Sequence, residues 1–229
     1  MPLSDDEYPE DILDADECCE DAPENEFREA FLRHRVILLT QDINAKTANA
    51  VKEDIARLLL ADTAQPIYLY INCGGGLLRD GLILCDFMLL VQALFSVEMI
   101  GVVCGRCESM ALAVLESCTK RFATPHSVFH FHPVWARCTV STSRATAQHT
   151  EIAIQKLKKE QFQAIRAFCR FPNVSHKTIC QLVYKNGDGG NDIFADDALR
   201  LNLLDAVLSD ISAVPPHSPQ HMFTHYLKK

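Results

Sequence analysis

Val97-Glu98-Met99-Ile100-Gly101-Val102-Val103-Cys104-Gly105-Arg106-Cys107-Glu108-Ser109-Met110-Ala111-Leu112-Ala113-Val114-Leu115 decides how this chain is read. Residues 97–104 are apolar and rich in β-branched side chains, the pattern of a buried strand. Residues 110–115 are rich in helix formers. Ser109 therefore stands at a strand-to-helix junction. There, N–H groups without an intrahelical partner, together with the helix dipole, stabilise a negative oxygen. A serine nucleophile is mounted in this way, whereas an ordinary serine at such a place is a helix N-cap. The surrounding chain has to separate the two readings.

Upstream, Arg35-Val36-Ile37-Leu38-Leu39-Thr40 is short and continuously apolar, as a buried strand is. A helix follows, starting near Asn44 or Lys46, with apolar positions at Val51, Ile55, Leu58, Leu59 and Leu60. Pro66-Ile67-Tyr68-Leu69-Tyr70-Ile71-Asn72 is again strand-like and stops at Cys73-Gly74-Gly75-Gly76. The next helix, 79–94, carries Leu82, Ile83, Cys85, Phe87, Met88 and Leu90 and keeps hardly any polar face, which predicts burial on most sides. Apolar strands alternating with helices imply an α/β fold whose mostly parallel sheet is covered on both faces.

Downstream, residues 118–125 combine turn chemistry with a short strand, and 127–133 alternate until Pro133 stops them. Residues 144–170 read as one long helix, whose polar middle suits an element that projects from the body or packs on another subunit. Pro172 and Asn173 end it, and 175–184 forms a shorter helix. Residues 185–192 are a loop on composition, Ile193-Phe194 is briefly apolar, a last helix starts at Asp196, and 203–208 closes the folded part.

At 229 residues and 48% hydrophobic, the chain fits one domain, 27–210, between an acidic arm (1–26) and a flexible tail (211–229). The net charge of -8 is local. Residues 1–27 hold 12 Asp and Glu and no Lys or Arg, leaving 18 acidic against 22 basic residues elsewhere. With no long basic run or aromatic-interleaved basic stripe, a nucleic-acid surface is not indicated. No run approaches the roughly 18 apolar residues of a membrane helix. Met1 to Glu7 lack a basic and an apolar leader region, so a cytoplasmic protein is expected. The ten cysteines lie mostly in apolar runs and read as reduced, buried thiols; Cys104-x-x-Cys107 has the spacing of a redox or zinc pair, but no second pair stands at a finger-like distance, so it reads as structural. His217, His221 and His225 belong to a solvated tail.

Residues 35–40, residues 67–72 with their glycines, Gly105-x-x-x-Ser109-Met110, Lys120-Arg121-Phe122-Ala123-Thr124-Pro125, His132, Ala198 and Leu204-Asp205 follow one another in a telling order. Together they resemble the proteolytic subunit of the Clp protease, ClpP, over about residues 27–208. The resemblance implies a crotonase-like α/β fold of repeated strand-helix units with a projecting long helix. It further implies a serine endopeptidase with a Ser-His-Asp triad that cleaves unfolded polypeptides without a cofactor. Heptameric rings stacked in pairs as a tetradecamer, and an unfolding AAA+ ATPase partner of the Clp type, are implied as well.

Residue by residue, the resemblance puts Ser109 on the nucleophile and His132 on the base. The N–H groups of Met110 and Gly76 fall on the oxyanion donors. Gly74 and Leu77 stand where the family usually has Pro and Ser. His130 lies on the same strand face as His132 and competes with it; as His-x-His the pair could ligate a metal, though no third ligand is evident. For the acid, Asp192-Ile193-Phe194 matches an Asp-x-aromatic element, but the stretch to Ala198 is two residues shorter than usual; Asp188 is the alternative. Two other functions remain: a catalytically inactive subunit of a mixed ring, and a crotonase-type acyl-CoA enzyme.

Overall fold

The computed structural model describes residues 22–134, 145–170 and 174–209, and among these the apolar runs form seven strands and seven α-helices. The arm as far as residue 21, the Pro172-Asn173 break and the tail from residue 210 lie outside the described residues. Strands β1 (Val36–Leu39), β2 (Ile67–Cys73), β3 (Met99–Glu108), β4 (Lys120–Ala123) and β7 (Ala206–Val207) lie side by side in the order β1-β2-β3-β4-β7, all parallel. Ile67, Leu69 and Ile71 of β2 and Met99, Ile100 and Val103 of β3 are fully or almost fully buried. Both faces of the sheet are covered, as the unbroken apolar runs require.

The first half of β3 pairs with β4, from Ile100 with Lys120 to Val103 with Ala123. Its last residues, Arg106 to Glu108, turn instead to β5 (Val128–Phe131). Strand β6 (Asn191–Phe194) then closes antiparallel on β5. The strand thus runs past Cys104 to Glu108, further than the apolar run alone suggests. Asn72 makes this possible by accepting the Arg106 N–H at 3.0 Å, next to Gly105 at φ +115°. A left-handed φ at that bend suits glycine, and a Cβ there would strike the Asn72 side chain.

Helix α1 (Ala22–Arg33) opens within the expected arm and docks on α2 (Ala45–Ala61) through a two-pronged Arg28–Asp54 ion pair. Of the two expected starts of α2, Asn44 is the cap: its side chain accepts from the N–H groups of Lys46 and Thr47, and the Thr47 hydroxyl accepts from the Asn44 N–H. Helix α3 (Leu78–Phe95) departs from expectation. Gly81, Leu84, Cys85, Met88 and Val91 are buried, but Ile83, Leu90, Leu94 and Phe95 are 46%, 55%, 67% and 46% exposed. Within one chain this helix is therefore not buried on most sides; an apolar outer face is left over. Helix α4 (Met110–Glu116) is buried along its whole length. Helix α5 (Ala145–Phe168) packs its last turns inward through Ala164, Ile165 and Phe168, while Ile152, Ile154 and Phe162 remain exposed. Helices α6 (His176–Tyr184) and α7 (Ala195–Arg200) flank β6.

Candidate active site

Strand β3 delivers Ser109 to the start of α4 in an unusual backbone state, φ 51° and ψ -121°, and its side chain makes no capping hydrogen bond. The N-cap reading therefore fails here. A non-glycine residue at positive φ is strained, and such strain persists only where surrounding contacts impose it. The contacts are visible: the Ser109 N–H donates to the His130 carbonyl at 3.0 Å, and the glycine loop lies directly on Ser109. A Cβ on Gly75 would sit 2.7 Å from both the Glu108 carbonyl oxygen and the Ser109 Cβ.

The same loop is tied from its other side. The Ile43 N–H donates to the Gly75 carbonyl and the Ile43 carbonyl accepts from the Leu77 N–H, both at 2.7 Å, forming a bridge opposite Gly76. Because Ile43 bonds only the residues flanking Gly76, the N–H of Gly76 faces away from it. Beneath, the Cys73 thiol donates to the Gln41 carbonyl and accepts from the Gly75 N–H at 3.3 Å; burial pushes this thiol's pKa up, so it stays protonated. Met110, the first residue of α4, has an N–H with no partner inside the helix.

Ser109, Met110, Gly76 and His132 line one cleft of about 460 Å³. Leu78, Val134, Ala164 and Phe168 add apolar wall, and Arg79, Asp80 and Glu160 bring charge to it. His132 follows β5 and its Nδ1 lies 2.6 Å from the Pro133 carbonyl oxygen. A carbonyl only accepts, so Nδ1 carries the proton, and in the neutral ring Nε2 holds the lone pair. Among the described residues the Ser109 hydroxyl is not hydrogen-bonded to this ring; the two share the cleft.

Asp192 is placed elsewhere. Strand pairing sets His130 opposite Asp192, and His130 Nδ1 donates to Asp192 Oδ1 at 2.6 Å. Phe131 opposite Asn191 is the last pair of the register, and a Cβ on Gly190, just before β6, would meet the His130 ring. The side chain of Asp188 lies outside those described. Sequence reading thus named both His130 and Asp192 but missed that they pair with each other. Cys107 of the Cys-x-x-Cys pair is a free thiol, fully buried in β3, and burial drives its pKa well up.

A parallel sheet that feeds a serine into a strained strand-to-helix elbow, beside a glycine loop with an outward N–H, defines a class of α/β protein built around a backbone-lined cleft. The Clp protease family matches residues 20–210, and the chain belongs to that family. It is 28% identical over 177 residues to the ATP-dependent Clp protease proteolytic subunit 3 of Synechococcus sp. (strain CC9605), covering 76% of this chain and 82% of the relative. The protein of the same description from Synechococcus sp. (strain CC9902) matches equally, 28% over 177 residues. Among the described residues no helix is long and apolar enough to cross a membrane.

Proposed function

We propose that this chain is a serine endopeptidase subunit of a Clp-type protease, with Ser109 as nucleophile and His132 as base. His132 Nε2 accepts the Ser109 hydroxyl proton as Oγ attacks a peptide carbonyl. The N–H groups of Gly76 and Met110 hold the developing oxyanion, and His132 returns its proton to the leaving amine. Water then releases the acyl group by the same steps. The Pro133 carbonyl keeps the proton on Nδ1 and so keeps Nε2 basic. The observation that carries this reading is the convergence of Gly76, Ser109, Met110 and His132 on one cleft. An extended polypeptide is the fitting substrate, held mainly through its main chain. Family membership suggests assembly into stacked heptameric rings fed by an AAA+ ATPase of the Clp type.

A fluorophosphonate probe tests the proposal. Ser109 is expected to label, and Ser109→Ala to abolish both labelling and hydrolysis of short fluorogenic peptides while the assembly keeps its size. Undiminished cleavage by that variant would remove Ser109 from the role.

One observation favours a second reading, a non-catalytic subunit of a mixed ring. Asp192, the acid expected from the sequence, is hydrogen-bonded to His130 and not to His132. Absence of labelling in the parent chain, under conditions where a known serine peptidase labels, would decide for this reading.

A further inference from the structure

We propose that Gln161 is a positioning residue for the Ser109–His132 reaction, fixing the peptide group on which the His132 ring is hung. The inference rests on the peptidase reading of the cleft.

His132 Nδ1 donates to the Pro133 carbonyl oxygen at 2.6 Å. That carbonyl belongs to the same planar peptide group as the Val134 N–H. The Val134 N–H in turn donates to Gln161 Oε1, also at 2.6 Å. Imidazole, peptide group and side-chain amide therefore form one chain of hydrogen bonds. Because the peptide is rigid, holding its N–H sets the direction of its carbonyl. A peptide that donates through its N–H is also polarised into a better acceptor. Gln161 thus bears on the ring in two ways, at one peptide's remove. Without its oxygen the peptide can turn about ψ of Pro133 and φ of Val134, carrying the carbonyl out of line with Nδ1.

The Gln161 amide is used on one side only. Its Nε2 is buried and has no acceptor among the described residues. A buried donor without a partner is destabilising, and an apolar side chain of the same length would remove that defect. What glutamine supplies here is the oxygen on Val134. Helix α5 holds that oxygen in place. Ala164, Ile165 and Phe168 anchor the last turns in the core, and the Phe168 ring meets the Phe131 ring edge-on, 5.9 Å between centroids. Residues 161 and 168 lie two turns apart on one face of the helix. The helix therefore grips the chain on both sides of His132, at Phe131 and at Val134, while Glu160, Ala164 and Phe168 line the cleft itself.

The experiment uses the full-length protein and two variants. Gln161→Met keeps the side-chain length and removes the acceptor; Gln161→Glu keeps an oxygen for the Val134 N–H. Fluorophosphonate labelling of Ser109 is followed against probe concentration. Histidine-selective isotope labelling with solid-state NMR reports which nitrogen of the neutral His132 ring carries the proton, a His132→Gln sample assigning the signals. For Gln161→Met the maximal labelling rate is expected to fall by about tenfold, with the half-saturating probe concentration unchanged. The His132 proton, on Nδ1 in the parent, should divide between Nδ1 and Nε2. Gln161→Glu should recover both readouts. Parent values of rate and proton distribution in Gln161→Met would overturn the inference. So would an equal loss in Gln161→Glu, which would mark a role in packing alone. A parent chain that never labels would sink the peptidase reading, while the proton distribution in Gln161→Met would still decide whether Gln161 positions the ring.

Discussion

Gly76 meets the chain at its tightest point. Its φ of +144° is one that L side chains rarely adopt, and a Cβ there would overlap the backbone of Ile43. Backbone cannot swing aside as a side-chain end can. Gly76→Ala is therefore expected to break the bridge to Ile43, lower stability by roughly 1 kcal/mol or more and slow Ser109 labelling by about 100-fold as the proposed donor is displaced. Calorimetry and probe kinetics on the same sample check both effects. That Gly76, Ser109 and His132 line one cleft was legible in the sequence because each is fixed by its neighbours in the chain: a strand, then a turn or a strand end. Asp192 was not. Which histidine it faces depends on the register of β6 against β5, more than sixty residues apart in the chain, and a two-residue slip preserves the facing of every side chain.

The elements were legible where apolar periodicity was unbroken, as in β1, β2 and α2, and less so where polar residues continue a strand. Arg106 and Glu108 hide the end of β3, and only pairing with Asn72 and β5 reveals it. Helix α4 carries a further property that its composition did not announce. Glu116, at its last turn, is 5% exposed, and burial pushes its pKa up to about 8 against the opposing pull of Arg121 and Arg170. Arg121 Nη1 is 3.8 Å away and also serves Asp205, at 3.2 Å from Nη2. The folded chain holds the Glu116 proton to about pH 8, whereas the unfolded chain releases it near 4.5. Between those values the folded state binds more protons, so stability falls as pH rises through this window. Glu116→Gln abolishes that loss. Its melting temperature should draw ahead of the parent's progressively from pH 5 to pH 8, and melting curves across that range measure it.

At the scale of the whole molecule, the chain leaves an apolar strip along α3. Ile83, Leu90 and Leu94 recur at helical spacing and are 46%, 55% and 67% exposed. The apolar pattern predicted burial on most sides, and within one chain these positions stay bare; a second copy is the cover that family membership suggests. Leu90→Asp combined with Leu94→Asp is expected to reduce the assembly to smaller species without unfolding the subunit, as read by light scattering after size exclusion and by circular dichroism. An unchanged mass would show that the strip is not an interface between copies.

Strand β3 changes partners midway, and the two side chains proposed to react fall on either side of that seam. Ser109 belongs by chain continuity to the broad parallel sheet, while His132 rides on the short β5–β6 ribbon, which is stitched to β3 through Arg106, Cys107 and Glu108 and by the Ser109 N–H on the His130 carbonyl. The proposed nucleophile and base are thus mounted on two separate plates, and anything that tilts the ribbon relative to the sheet throws them out of line together, with no bond in either plate having to break.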